Sequence, residues 1–288
     1  MSFKIVTDST ADLLDDFCLK ENITVIPFSY TIAGETYGES KMLPIKDFYS
    51  LMREGNNPIT SQINPESAKN VLSSLAEEYN EILYISFSSG LSGAYNSARL
   101  AAMEVMEDKP DVSIKVCDSL CASMGEGLLV YKAVMMRNEG HSLDETYEWV
   151  EAHKMNMIHM FTVDDLNYLF RGGRVSKSVA VVGSVLNIKP ILHVDDEGHL
   201  VLVGNVRGRK KALLSLVDNM ERKMCSYKDK NDIIFISHCD CEEDALFVKE
   251  EVKNRFGIDA FMMNYIGHTV GAHSGPGTVA LFFMGDER

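Results

Sequence analysis

Along the first half of the chain, short unbroken apolar runs alternate with polar turns and with stretches whose apolar residues recur every three to four positions. Residues 82–86 form such a run, the pattern of a strand buried on both faces. Residues 87–93 break it with three serines and two glycines, and from Ala94 through Leu100, Ala101, Met103, Val105 and Met106 the spacing turns helical. Residues 4–7 and 113–117 repeat the strand pattern, each followed by a polar turn, Asp8-Ser9 and Asp118-Ser119. Ser9 with Asp12 reads as a capping pair opening a helix to about residue 20, and Ser142 with Glu145 as a capping box opening one toward residue 154. Asn64-Pro65 starts a helix running to about residue 79. Residues 23–27 and 29–32 are extended, and Pro44 opens a helix that ends near Gly55. Strand, polar loop, helix, repeated, predicts a parallel sheet covered by helices, with the loops gathered at the carboxyl ends of the strands. Asp8-Ser9, Thr60-Ser61, the serines of 88–92 and Asp118-Ser119 then converge on one crevice.

Beyond residue 156 the pattern changes. Strands are expected at 157–163, 233–237 and 259–264, and helices at 164–169, 176–186, 209–223 and 242–256. Residues 191–194 and 200–206 form a hairpin about Asp196-Glu197-Gly198, which makes the second sheet mixed. A glycine-dense loop at 267–277 carries His268 and His273 and leads into an apolar run ending at Met284. The prediction is an α/β chain of two domains, an N-terminal parallel sheet over residues 1–156 and a C-terminal mixed sheet over 157–288.

Composition narrows the classes. A chain of 288 residues has room for two ordinary domains. Its formal charge of −14 argues against nucleic-acid binding and against anionic membrane surfaces. No run approaches the roughly 20 apolar residues of a membrane helix, so no stable membrane insertion is expected. Residues 1–8 lack a basic start and an apolar core, so no signal peptide and a cytoplasmic location are expected. Of six cysteines, Cys18, Cys117, Cys121 and Cys225 read as reduced packing residues. The adjacent residues of His238-Cys239-Asp240-Cys241 suit one tetrahedral ion poorly and no second cluster completes a set, so no metal is expected.

The loop at 87–93 sets backbone N–H groups and the hydroxyls of Ser88, Ser89 and Ser92 at a helix N-terminus, where an oxyanion can sit. Such turns also favour Ser and Gly with no ligand at all. Neither a phosphate-loop lysine motif nor a dinucleotide fingerprint is present, so nucleotide use is not expected. Gly90-Leu91-Ser92-Gly93-Ala94 falls one residue short of a nucleophile elbow, and Asp118 and His273 follow in hydrolase order. A serine acyl hydrolase using Ser92, Asp118 and His273 is therefore one reading, although His273 falls in the other domain. His273 reads either as loop surface or as a ligand contact. Arg171, Arg174, Arg207, Arg209, Lys210 and Lys211 read either as solvated turns or as a docking patch for an acidic partner or a phosphate. Met103, Met106, Met135, Met136, Met262 and Met263 suit an adaptable apolar lining and an ordinary core alike.

In order along the chain, several short motifs resemble those of the DegV family. They are Thr7-Asp8-Ser9-Thr10, Thr60-Ser61-Gln62, Ser88-Ser89-Gly90-Leu91-Ser92-Gly93 and Asp118-Ser119. They continue through residues 166–176 ending Gly-Gly-Arg-Val-Ser, Lys189-Pro190 and His273-Ser274-Gly275-Pro276-Gly277. These are lipid-binding proteins that include the fatty-acid-binding subunits of bacterial fatty-acid kinase, serving phospholipid metabolism. The resemblance spans nearly the whole chain. It departs where the family often follows Thr-Ser-Gln directly with Pro; here Ile63-Asn64 intervene. It implies a two-domain α/β protein with one long-chain, palmitate-like fatty acid between the domains, no other cofactor and no catalysis of its own. Thr60 and Ser92 then hydrogen-bond the carboxylate and His273 completes the network. Ser61, Ser89 and Gly93 belong to the supporting loops. Arg174 and Arg207 dock the kinase catalytic subunit, the partner that phosphorylates the bound acyl group.

Overall fold

Strand β1 (Lys4–Asp8) is buried along its whole length and flanked by two parallel neighbours, β2 (Ile23–Ile26) and β6 (Glu81–Ser86). Strand β7 (Ser113–Asp118) continues the sheet beyond β6, giving the order β2-β1-β6-β7, parallel throughout as expected from the sequence. The computed structural model describes residues 3–176 and 187–288. Alternate side chains of this sheet enter two different cores. Ile5, Leu83, Ile85 and Cys117 join one, while Val6, Ile82, Tyr84 and Ile114 join the other.

Helices α3 (Pro65–Leu75) and α4 (Ala94–Asp108) cover one face, and α5 (Met124–Asn138) and α6 (Leu143–His153) the other. Asn64 caps α3 by accepting from the Glu66 N–H at 3.0 Å, with Pro65 in the first turn. Ser142 and Glu145 form the reciprocal capping box of α6. Strands β3 (Ser29–Ile32), β4 (Glu35–Tyr37) and β5 (Ile59–Ser61) form a small antiparallel sheet against α2 (Ile45–Arg53), so Thr60 sits on a strand.

The second sheet runs β10-β9-β8-β13-β11-β12. Its strands are β8 (Met157–Thr162), β9 (Ile188–Val194), β10 (Leu200–Arg207), β11 (Ile234–His238), β12 (Phe261–Tyr265) and β13 (Val279–Met284). The β11–β12 pair is parallel and the others antiparallel, so the sheet is mixed as expected. Helices α8 (Arg209–Met224) and α9 (Glu242–Phe256) pack on one face with Ile158, Met160, Leu281 and Phe283. The opposite face, with Met157, Phe161, Ala280 and Phe282, shares a core with Leu128, Leu129 and Val134 of α5. Helix α5 therefore lies between the two sheets, which is why it is apolar nearly all round and buries even Glu126.

Four local expectations are corrected. Residues 9–11 make a single tight turn and the helix begins six residues late, at α1 (Asp15–Lys20). Asp8 supplies the cap by accepting from the Thr10 N–H, and Asp12 breaks the turn at φ 52°. The short helix expected at 164–169 is α7 (Asn167–Arg171). The glycine-dense segment holds a helix, α10 (His268–Ser274), rather than a loop. Cys225 is exposed, while Cys18, Cys117 and Cys121 are buried as expected. The helix expected over 176–186 falls, but for Ser176, outside the described residues. Among the described residues no helix is long and apolar enough to cross a membrane.

Candidate functional site

Four anchored segments meet around a cavity of about 240 Å³. The first residues of the loop after β6 are fixed by a buried and a half-buried acid. The Asp8 carboxylate accepts from the Phe87 N–H at 3.0 Å, and the Asp118 carboxylate from the Ser89 and Leu120 N–H groups at 3.0 and 3.2 Å. Within the loop, the Ser88 carbonyl accepts from the Leu91 and Ser92 N–H groups, and Ser88 Oγ donates to the Gly198 carbonyl at 2.9 Å. Ser92 Oγ then accepts from the Ala94 N–H at 3.2 Å as α4 begins. A side chain on Gly93, the residue before α4, would place its Cβ 2.2 Å from Gln62 Oε1, so the Gln62 amide packs where that side chain would go.

Helix α10 is tied in place by three contacts. The Gly267 N–H donates to Asp12 Oδ1 at 2.8 Å, the Tyr49 hydroxyl to the Ile266 carbonyl at 2.6 Å, and His268 Nε2 to the Leu43 carbonyl at 2.7 Å. That placement brings His273 Nε2 to 2.8 Å from Thr60 Oγ1, a pair 213 positions apart in sequence. The other ring nitrogen faces Gly172 so closely that a Cβ there would lie 2.0 Å from Nδ1. Burial first, then the Arg174 charge, lowers the His273 pKa to about 4, so its imidazole is neutral at physiological pH.

Thr60, Gln62, Ser92, Gly93, Arg174 and His273 are thus gathered at one end of the cavity. From there the lining is mainly apolar, including Phe28, Phe87, Leu91, Leu169 and Val270. The floor follows one face of the second sheet through Thr278, Ala280 and Phe282, paired with Phe161 and His159 of β8. Those four residue steps span roughly 14 Å at the usual strand rise. At the far end His159 accepts from the Ala122 N–H through Nε2 and donates from Nδ1 to the Met157 carbonyl. Burial above all, with the Arg288 charge next, lowers its pKa to about 3, so its imidazole is neutral too. None of the described methionines lines the cavity; they pack in the cores or lie at the surface.

Three of the expected carboxylate ligands, Thr60, Ser92 and His273, therefore line one cavity, as does Gly93. Ser61 and Ser89 are exposed and stand outside it. Arg174 lines it with its guanidinium held by backbone carbonyls, while Arg207 is exposed at the end of β10. The hydrolase relay is not assembled. Asp118 is occupied by two backbone amides, and His273 pairs with Thr60 and has no hydrogen bond to Ser92 or Asp118. Among the described residues no group of three His, Cys, Asp or Glu is arranged to hold a metal ion. The sulfurs of Cys239 and Cys241 face Ser274 Oγ and the Thr278 carbonyl, His238 Nδ1 accepts from the Cys241 N–H, and Asp240 pairs with Arg53.

Sequence reasoning missed a buried acidic network beside the site. Thr7 donates to one oxygen of Glu126 at 3.0 Å, and Thr10 Oγ1 lies 2.9 Å from the other and within hydrogen-bond distance of Asp8 as well, donating its one hydrogen to one carboxyl and accepting from the other. Desolvation pushes both carboxyls up, Glu126 well above its usual range. Asp12 accepts from Ser123 Oγ at 2.5 Å and is pushed up to about 7, chiefly by burial. The threonines of Thr7-Asp8-Ser9-Thr10 were the legible part of this network; Glu126, inside an apolar helix, gave no signal.

Comparison with known proteins places the chain among relatives of similar length. A family profile described as "Uncharacterised protein, DegV family" matches residues 2–286. A DegV domain-containing protein of Clostridium perfringens is 40% identical over 289 residues, covering 99% of this chain and 98% of its own. Among solved structures, a fatty-acid-binding DegV family protein from Thermus thermophilus superposes with a TM-score of 0.87 at 29% identity, covering 99% of this chain and all of its own. A stearic acid-binding protein from Eubacterium ventriosum does so at 0.90 and 27% identity, covering 98% of each chain.

Proposed function

Since this chain belongs to the DegV family, we propose that it binds one long-chain fatty acid in the cavity and presents the carboxylate to a partner kinase for acyl-phosphate formation. The observation that carries this reading is an apolar cavity whose one polar end brings together Thr60, Ser92 and His273. The fatty-acid and stearic-acid binding of the solved relatives supports it.

In this scheme Thr60 and Ser92 donate hydroxyl hydrogens to the carboxylate, helped by the N-terminal end of the fifteen-residue helix α4, whose first amide, Ala94 N–H, is taken by Ser92 Oγ. Neutral His273 orients Thr60: its single N–H, on Nε2, donates to Thr60 Oγ1 and leaves the Thr60 hydroxyl hydrogen for the carboxylate. The alkyl tail lies along the Thr278–Phe282 floor toward His159. At about 0.8 kcal/mol per buried methylene, a palmitate-like tail contributes roughly 11 kcal/mol before ordering costs offset much of it. The ligand sits between two domains divided near residue 156, and the protein acts in the cytoplasm without catalysis of its own. The exposed Arg207 docks the kinase catalytic subunit, where an arginine fork suits an acidic partner.

Native mass spectrometry of the purified protein, followed by extraction of anything bound, tests the proposal. A stoichiometric fatty acid is expected. An empty protein that also fails to take up added palmitate overturns it, and ester hydrolysis abolished by Ser92→Ala would put the chain among the hydrolases instead.

A further inference from the structure

Arg174 spans two segments that are distant in sequence. Its guanidinium donates from Nε and Nη2 to the Leu91 carbonyl, at 3.2 and 2.9 Å, and from Nη1 to the Gly172 carbonyl. Leu91 immediately precedes Ser92. Gly172 is the residue against which His273 Nδ1 packs. We propose that Arg174 is a positioning residue of the carboxylate site, clamping the Ser92 loop to the turn that seats His273, rather than an arginine free to dock a partner. The role rests on the fatty-acid reading given above.

The chemistry suits arginine in particular. Three of its five N–H groups are committed to two carbonyls in a fixed planar fork, a pattern that a lysine ammonium on a flexible stem cannot reproduce. The side chain is half-buried and lines the cavity, so its charge acts where solvent screens it poorly. That charge is felt by His273. Other titratable groups face α10 at separate points: Asp12 at Gly267, Tyr49 at Gly271, Cys239 at Ser274 and Tyr168 at Gly275. Arg174 is the charged group that acts on the His273 ring, in the direction that keeps it neutral. One side chain thus sets both the spacing of the two ligand-bearing segments and the protonation of the histidine between them.

The test compares Arg174→Ala and Arg174→Lys with wild type. Palmitate affinity is read by displacement of a dansyl-labelled undecanoic acid, and the His273 titration by NMR of the lipid-free protein. Arg174→Ala is expected to lose palmitate affinity roughly tenfold, equivalent to about 1.4 kcal/mol, and to titrate His273 at higher pH. Arg174→Lys, which keeps the charge and loses the fork, is expected to leave the histidine titration near wild type while still losing affinity. Palmitate affinities within twofold of wild type in both variants, with the His273 titration unmoved, overturn the proposal. If the alanine variant does not fold, the lysine variant decides: weakened binding with an unchanged titration supports the clamp, and wild-type binding refutes it. Failure of the wild-type protein to bind palmitate removes the lipid reading by itself. In that case the lipid-free His273 titration still decides whether Arg174 governs the histidine.

Discussion

Asp12→Asn tests how the buried acids shape stability. The Asp12 carboxyl accepts from Ser123 Oγ and from the Gly267 N–H, so it ties the start of α5 to the start of α10. Burial raises its pKa from 3.8 to about 7, partly offset by those two hydrogen bonds, and the Asp8 charge raises it further. A carboxyl raised in the folded state binds its proton there more tightly than in the unfolded chain. Its stabilising contribution is therefore full below pH 3.8, falls as pH rises toward 7, and is gone above that. The displacement corresponds to about 4 kcal/mol at the usual 1.36 kcal/mol per pH unit. Asparagine keeps an oxygen for the Gly267 N–H and an amide that can donate to Ser123, whose hydroxyl can then turn toward Ser237 at 2.9 Å. Urea unfolding at half-unit intervals from pH 4 to 8 is the assay. Wild type should lose stability across this window by several kcal/mol more than Asp12→Asn, because Asp8 and Glu126 titrate in both proteins. Parallel profiles for the two would refute a proton held on Asp12.

Ser92→Ala should weaken palmitate binding by tenfold or more, the scale of a lost hydrogen bond to a charged group of about 1.5–3 kcal/mol, with melting temperature little changed. Isothermal titration of the delipidated protein checks this. Gly172→Ala would set a Cβ about 2.0 Å from His273 Nδ1, so the ring must leave Thr60; the expected result is a similar loss of affinity and a displaced His273 resonance. Phe282→Ala opens the cavity floor and removes a side chain only 2% exposed, destabilising the fold by about 3–5 kcal/mol in urea titrations. Lipids extracted from that variant should be longer or bulkier than those from wild type.

The regular parts of the chain were legible because their signals are local. The apolar run at 82–86 became a central parallel strand and residues 113–117 its edge neighbour, and Asn64-Pro65 and Ser142 with Glu145 capped their helices as read. Where reading failed, distant partners decided. Ser9 and Asp12 carry a capping pattern, but Asp12 is drawn instead to Ser123 and Gly267, so the turn ends before a helix can form. The glycines at 267–277 look like loop residues. They serve close packing, since a Cβ on Gly271 would meet the Tyr49 hydroxyl at 2.3 Å, and the segment between them is free to be helical. Thr60, Ser92 and His273 were each visible as motif residues, but nothing local tells that Thr60 and His273 lie 2.8 Å apart. Arg174 was read as part of a solvated turn or of a docking patch, and its backbone partners were invisible in sequence.

A carboxylate bound as proposed, inside a chain of formal charge −14, has to be shielded from that charge. The acids nearest in connectivity are those reaching the cavity wall through its lining residues: Asp12 through Ser123 and Asp8 through the Phe87 N–H. Both are pushed toward the neutral form, as is Glu126 behind them. Desolvation thus removes negative charge from the cavity wall, while Arg174 supplies a positive one at the end where the carboxylate is proposed to bind. The two effects act in the same direction, so a bound fatty-acid anion and an ionised Asp12 should oppose each other. Reciprocity requires that palmitate binding raise the Asp12 pKa and that affinity weaken as pH climbs through about 7. In Asp12→Asn that part of the pH dependence should vanish. Palmitate affinity falling equally in both proteins between pH 6 and 8 would show that Asp12 does not couple to the site.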